Sequence, residues 1–424
     1  MGKMLRVNSP RRTQWSWRSE FVFLFLLLLP VSLAIVFPSA TAQNPPQSNQ
    51  QQRPRRVEQT PDKNGGSSAT APQPTPASSE EVNEGDVLRI STQLVTVPAV
   101  VTNKSGRPVP DLRANNFAVF EDGQPQKITN FATTEAPFEI ALFLDTSGST
   151  REELGLIQSA ARAFISALRS GDRVAVVSFK TEQRRGQPVA RVDLLSMLTG
   201  DRKALAKAID NLGTSNGTPF YDGLGSIADR VFRDPPHEEV RGRRAVVALT
   251  DGVDSTSDSS YEEGSAKLLA SGVACYFIEV NTEDYVEDRL LRDCAEGGLA
   301  LSRQQLERYR RVFVPSAQKE DYQDFCALGR MERMQISRTL YNLARTEMNN
   351  LAKATGGKNF AAADLQEARG AFAQVANEIG TQYSLGYYPT NKSRDGAFRK
   401  IRVELRGADK DARVRAREGY YAPK

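Results

Sequence analysis

Between residues 138 and 280 the chain carries two kinds of apolar pattern in alternation. Short unbroken runs, FEIALFLD, RVAVVSF, RRAVVALTD and VACYFIEV, read as strands buried on both faces, because a half-buried strand would show a polar residue at every second place. Between them, apolar residues recur at steps of three and four. Leu154, Ile157, Ala161, Phe164 and Leu168 form one helical face, RKALAKAIDNL reads as another helix, and Tyr221, Leu224, Ala228 and Val231 form a third face. Later, Asp364 and Glu367 read as a capping box for a helix that turns Leu365, Ala368, Phe372, Val375 and Ile379 inward. Apolar strands interleaved with amphipathic helices predict an α/β domain over residues 137–382, a doubly wound, mostly parallel sheet with helices on both faces. In that architecture ligands bind at the carboxyl ends of the strands.

The flanks follow a different rule. LRISTQLVTVPAVVTN and NNFAVFEDGQPQKITNF, the latter with an Asp122-Gly123 hairpin signal, predict a β segment over residues 87–136. Similar runs return in QYSLGYYP, FRKIRVELRG and ARVRAREGYY, a second β segment over residues 383–424. The two sets are expected to pair as one small β-domain split by the central insert; the alternative is that each adds strands to an edge of the central sheet. The tyrosines of GYYP, Tyr387 and Tyr388, are expected in the β-domain core.

Ahead of these lie two segments that do not fold into either. Lys3, Arg6, Arg11, Arg12 and Arg18 precede the apolar run 21–37, and Ala40-Thr41-Ala42 follows it. That order is a secretory signal over residues 1–42. The competing reading is an uncleaved membrane anchor, since the run is at the lower limit for a bilayer span. Either places the remainder outside the cytoplasm: periplasmic, extracellular or tethered at the cell surface. Residues 43–86 are rich in Gln, Pro and Ser and poor in aliphatic side chains, the composition of a disordered linker.

Export changes how composition reads. The 424 residues carry a formal charge of +5, but residues 1–42 hold five basic side chains against Glu20, so most of the excess belongs to targeting and gives no nucleic-acid footprint. Cys275 sits in an apolar strand, whereas Cys294 and Cys326 flank one polar helical region; in an oxidising compartment these two are the expected disulfide. The lone histidine, His237, excludes histidine triads and multi-histidine metal centres.

Three segments converge on the predicted carboxyl edge of the sheet. Asp145, Ser147 and Ser149 follow the first strand, Thr218 opens a helix in GTSNGTPFYDGL, and Asp251 ends a strand in VVALTDGVDS. Two carboxylates and three hydroxyls are hard oxygen donors, which suit Mg²⁺, with Mn²⁺ or Ca²⁺ as alternatives. The two acids balance a divalent charge and leave a position for a carboxylate from a partner protein. Asp222 and Asp254 are candidates to stand behind the ligands; the plainer alternatives are a helix-surface residue and a turn cap. Taken alone, the serines of TSGST read equally as a helix cap at Arg151.

The spacing D-x-S-x-S, the distant GTP threonine and TDG after an apolar strand resemble the metal-ion-dependent adhesion site of von Willebrand factor type A domains. The chain is also similar to the acidobacterial VWFA-related family of exported proteins, through VTNKSGRPVPDLRANNFAVFEDGQPQKITNF, LAKATGGKNF and YSLGYYPTN…REGYY. The resemblance implies that Ser147, Ser149 and Thr218 touch the metal, that Asp145 and Asp251 act directly or through water, and that the open position takes an acidic residue. It implies a protein-binding, adhesive module and not an enzyme. The alternatives from other classes are a metal-dependent hydrolase and a structural protein of cell-envelope assembly. One feature departs from the family: a polar helical insertion over residues 283–339. It is expected either beside the site, shaping partner choice, or as a solvated excursion.

Overall fold

The computed structural model describes residues 94–423 apart from 134, 149, 151–152, 241 and 293–300. The predicted signal, the linker and the first residues of the N-terminal β segment lie outside the described residues. Among those described, no helix is long and apolar enough to cross a membrane.

The unbroken apolar runs form the central sheet. β5 (Glu139–Leu144), β6 (Arg173–Arg184), β8 (Arg244–Thr250), β9 (Ala274–Val280) and β10 (Lys358–Ala362) are its parallel strands, and β7 (Gln187–Thr199) pairs antiparallel with β6, in the order β10-β9-β8-β5-β6-β7. Every residue of β5 and β8 is buried, as strands covered on both faces require. α1 (Leu154–Ala167), α2 (Arg202–Asp210) and α8 (Ala368–Gly380) cover one face, where Ile157, Phe164, Leu205 and Phe372 pack on Ile140, Leu142 and Val247. α3 (Phe220–Ser226), α4 (Tyr261–Ser271) and the end of α7 (Arg330–Thr355) cover the other, where Phe220, Leu224, Leu268 and Leu351 meet Phe143, Val246 and Phe277. The predicted doubly wound sheet is therefore present.

Strand β7 is an addition to the sequence reading. Strand β6 was expected to end near Phe179, where its apolar run ends, but it continues through exposed residues into a hairpin turned at Arg185 and Gly186, both with positive φ. Sheet-edge residues 187–199 are only half covered and mix polar with apolar side chains, so they carry neither of the patterns that mark a strand in sequence.

The flanking strands form two antiparallel sheets apart from the central one. The first has the order β13 (Arg413–Ala416), β1 (Val95–Thr102), β11 (Tyr383–Tyr387), β4 (Ile128–Ala132); the second has β14 (Gly419–Tyr421), β12 (Phe398–Leu405), β2 (Phe117–Glu121), β3 (Gln124–Gln126). Each mixes strands from both ends of the chain, with Val95 opposite Tyr387 and Val119 opposite Val403. They share one apolar core containing Val97, Phe117, Val119, Leu385, Tyr387 and Ile401. Buried Glu121 accepts hydrogen bonds from the Tyr387 and Tyr420 hydroxyls at 2.6 and 3.0 Å, which joins three strands distant in sequence. Tyr388 corrects the expectation for GYYP: it lies just past the end of β11 and is 48% exposed.

The segment between β9 and β10 has its own structure. α5 (Glu283–Leu290), α6 (Arg303–Phe313) and the first half of α7 surround a small core of Val286, Leu290, Leu306, Phe325, Ile336 and Leu340. The predicted boundary near Thr339 falls inside α7, which runs unbroken to Thr355 and places Met348, Leu351 and Ala352 in the core of the central sheet. Cys326 is disulfide-bonded and Cys275 is a buried free thiol; Cys294, the predicted partner of Cys326, lies outside the described residues.

Helix α8 starts at Ala368, later than its predicted box. Asp364 accepts from the Gln366 and Glu367 amides while Glu367 accepts from the Ala363 amide, so the reciprocal bonds close a turn just before the helix.

Candidate functional site: a cleft at the carboxyl edge of the sheet

Strands β5 and β8 are parallel neighbours with Leu144 opposite Leu249, and each runs directly into an acid. Asp145 and Asp251 therefore leave the sheet at the same edge, and the Asp145 amide donates to the Leu249 carbonyl at 2.9 Å. Both acids are buried, at 2% and 6% exposure.

Each carboxylate is gripped by a backbone amide two residues on and by a threonine hydroxyl from a neighbouring strand end. Asp145 Oδ1 accepts from the Ser147 amide at 3.0 Å and Oδ2 from Thr250 Oγ1 at 2.7 Å. The Gly252 amide in turn donates to Thr250 Oγ1 at 2.9 Å. Asp251 Oδ1 accepts from the Val253 amide at 3.0 Å and Oδ2 from Thr282 Oγ1 at 2.6 Å. Thr282 has one hydroxyl proton, and an ionised carboxylate can only accept. The 2.8 Å contact between Thr282 and Tyr341 therefore has the tyrosine donating, giving a relay from Tyr341 through Thr282 to Asp251. Gly252 is the residue the TDG turn needs: its φ is +73°, and a Cβ there would lie 2.7 Å from Met348 Cε.

The other donors come from loops pinned to one another. The Ser215 amide donates to the Thr146 carbonyl. The Thr218 amide donates to Ser255 Oγ at 2.8 Å, and the Ser255 amide returns a bond to the Thr218 carbonyl at 3.0 Å. Asp254 and Asp222 knit the same two loops. Asp254 accepts from the Tyr221 amide at 3.1 Å and from the Ser257 hydroxyl, and Asp222 accepts from the Asp258 and Ser259 amides. Asp222, half-buried on α3, thus ties that helix to the loop after Asp251. Asp254 caps its turn as the plainer reading had it, and also holds the first turn of α3.

Ser147, Thr218 and Asp251 line one cleft of about 540 Å³. Asp145 stands behind Ser147, and Ser149 lies outside the described residues. Thr150 does not cap α1: its hydroxyl donates to the carbonyls of Asp145 and Ser147. The Thr150 hydroxyl instead holds the turn that carries Ser147, and α1 starts at Leu154 with Glu153 at its N-cap and no side-chain cap.

Electrostatics mark the same place. Burial, with the nearby Asp251 charge adding to it, pushes the Asp145 carboxyl up to about 7, because two like charges in a dry site oppose each other's ionisation. A divalent cation between them would remove that penalty. Among the described residues no group of three or more His, Cys, Asp and Glu is placed to hold a metal, so a cation here would rely on hydroxyl donors as well as the two acids. That suits a hard ion that keeps water.

Thr250, Ser255, Thr282 and Tyr341 were not singled out from sequence. Thr250 and Thr282 sit just at or beyond apolar strands, where a lone hydroxyl carries no pattern, and Tyr341 lies on a helix 59 residues from its partner Thr282.

Residues 139–301 match the family model of the von Willebrand factor type A domain. The match starts at the first residue of β5 and includes Asp145, Ser147, Thr218 and Asp251; α7, β10 and α8 lie beyond it. Among solved structures, the chain is similar to proximal thread matrix protein 1 from the mussel byssus, at 16% identity and a TM-score of 0.37, covering 64% of this chain and 49% of that one. It is similar to the von Willebrand factor type A structure from Catenulispora acidiphila at 12% identity and 0.37, covering 79% and 75%. It is also similar to the pilus adhesin SpaC from Lactobacillus rhamnosus GG at 11% identity and 0.34, covering 74% and 49%. The chain thus spans about half the length of the byssus protein. Comparison with curated proteins finds no match.

Proposed function

We propose that the type A domain is an exported, non-enzymatic binding module that holds a divalent cation, Mg²⁺ foremost, and through it an acidic residue of a partner protein. The observation that carries this reading is the convergence of Asp145, Ser147, Thr218 and Asp251, from three separate loops, on one recessed edge with two buried acids side by side. In this reading Asp145 and Asp251 neutralise the ion, the hydroxyls of Ser147, Ser149 and Thr218 fill neutral positions, and the remaining position is left to the partner's carboxylate. Thr250 and Thr282 aim the two acids. The ion binds the partner's acid electrostatically and is not called on for hydrolysis.

The test is calorimetry with Mg²⁺ and Mn²⁺ on the exported chain and on Asp145→Ala. Wild type is expected to bind and to melt at higher temperature with the ion, and the variant to lose both responses. Equal binding by the variant would remove the site assignment.

A further inference from the structure

The cleft has two walls of different origin. Ser147, Thr218 and Asp251 stand on one; the other comes from the segment between β9 and β10, with Tyr285 and Val286 of α5, Leu301 and Ser302 ahead of α6, and Leu340 and Tyr341 of α7. This second wall has its own core, so it is a separate body packed against the ligand loops.

Thr218 lies in an irregular loop, and both of its backbone polar groups are bonded to one residue. Its amide donates to Ser255 Oγ at 2.8 Å and its carbonyl accepts from the Ser255 amide at 3.0 Å. Pro219, at the N-cap of α3, supplies no side-chain cap. The place of Thr218 therefore follows that of Ser255. Ser255 is itself in a loop, since residues 251–260 are neither helix nor strand, and its carbonyl accepts from Ser302 Oγ at 2.6 Å. Ser255 thus leads to Thr218 on one side and to α6 on the other.

A hydroxyl has one proton to give and lone pairs with which to accept, and Ser302 uses them for different tasks. Its oxygen accepts from the Gln305 amide at 3.1 Å, while Gln305 accepts in return from the Ser302 amide at 2.8 Å. An N-cap needs only that acceptor, so the proton given to Ser255 is additional to capping. Helix α6 is fastened a second time: Arg308 binds Glu347 at 2.6 Å, and Glu347 accepts from the Tyr221 hydroxyl at 2.9 Å, in α3 just beyond Thr218.

Resting on the cation reading above, we infer that Ser302 is a positioning residue of the cation site: acting through Ser255 it sets the place of Thr218, so that α6, which lies beyond the residues matching the family model, completes the site. Asp251 is reached from the same body through Tyr341 and Thr282, and two of the ligands thus take their positions from it. Placement matters for Mg²⁺ because the ion demands near-octahedral geometry with oxygens at roughly 2.0–2.1 Å. A neutral hydroxyl that drifts from its vertex is replaced by water.

The test measures Mg²⁺ affinity by calorimetry for the exported chain, Ser302→Gly, Ser302→Thr, Thr218→Ala and the Ser302→Gly, Thr218→Ala double variant, with the melting temperature of each recorded without metal. Ser302→Gly keeps most of the capping, since glycine is a tolerated N-cap, but has no proton to donate. It is expected to melt near wild type and to bind Mg²⁺ about three- to tenfold more weakly. Ser302→Thr keeps the hydroxyl and should bind as wild type does. Thr218→Ala keeps both acids and so retains weaker binding; in that background the glycine substitution should cost nothing further, because a residue acting through Thr218 has nothing left to place. Equal Mg²⁺ affinity for wild type and Ser302→Gly, or the same loss with Thr218 present and absent, would overturn the inference and leave the cation reading standing. By linkage, Mg²⁺ should also slow amide exchange in α6 of wild type, a measurement that needs no variant to fold; exchange there unmoved by bound Mg²⁺ would overturn the inference as well. Failure of Mg²⁺ to bind wild type would remove both.

Discussion

Replacing Thr282 by Val removes one hydroxyl and almost no volume, and so isolates the relay from Tyr341 to Asp251. In the native chain Thr282 Oγ1 donates to Asp251 Oδ2 at 2.6 Å and accepts from Tyr341 at 2.8 Å, all three residues buried. A hydrogen bond to a charged acceptor contributes about 1.5–3 kcal/mol, and the tyrosine hydroxyl left without an acceptor costs about 1–3 kcal/mol more. The added methyl group returns about 0.8 kcal/mol. A net loss of about 2–5 kcal/mol follows, and at about 2 °C per kcal/mol for a domain of this size the variant should melt about 4–10 °C below wild type. The same change frees one oxygen of a proposed ligand, and loss of such an orienting partner weakens metal affinity by about 10–100-fold. Differential scanning fluorimetry without metal measures the first effect and calorimetry with Mg²⁺ the second. Tyr341→Phe keeps the bond to Asp251 and should weaken Mg²⁺ binding less than Thr282→Val. If Thr282→Val melts and binds Mg²⁺ as wild type does, the relay does not hold Asp251.

Three further outcomes are expected. At the opposite edge of the sheet, buried Glu139 pairs with Arg244 at 2.8 Å and Arg173 at 2.9 Å across the starts of β5, β8 and β6; Glu139→Ala leaves the buried Arg244 uncompensated and should cost about 3–5 kcal/mol in urea denaturation, and a loss below 1 kcal/mol would refute this. Burial pushes the Asp254 carboxyl up to about 6, so the native state takes up a proton that the unfolded chain lacks between about pH 4 and 6. Wild type should then gain stability relative to Asp254→Asn as pH falls through that window, and parallel urea midpoints at pH 4.5 and 7 would contradict the assignment. Burial also pushes the Cys275 thiol up to about 12, so iodoacetamide at about pH 8 should label it only after denaturation; labelling of the native chain would show that the strand opens.

Much of the fold was legible because its cause is local. Buried parallel strands must be apolar throughout and covering helices must be apolar at steps of three and four, so β5, β8, β9, α1 and α8 announce themselves. The sheet's carboxyl edge then follows from topology, which is why the sequence alone brings Asp145, Ser147, Thr218 and Asp251 to one edge. The hairpin of β6 and β7 was not legible, since a half-covered edge strand need not alternate. The continuation of α7 through the end of the predicted insertion was missed because polarity changed along the helix while helicity did not.

By itself, then, the sequence determined the layered sheet, the edge at which a ligand can bind and the oxygen character of the donors there. Only tertiary structure decided what surrounds them. Thr250 meets Asp145 across 105 residues, Thr282 meets Asp251 across 31 and Ser302 meets Ser255 across 47, pairings that no local pattern encodes. The wall of α5, α6 and α7 became part of the cleft for the same reason. A strand's carboxyl end fixes where the following segment begins, but packing of Leu290, Leu306, Ile336 and Leu340 against one another decided that it folds back over the site.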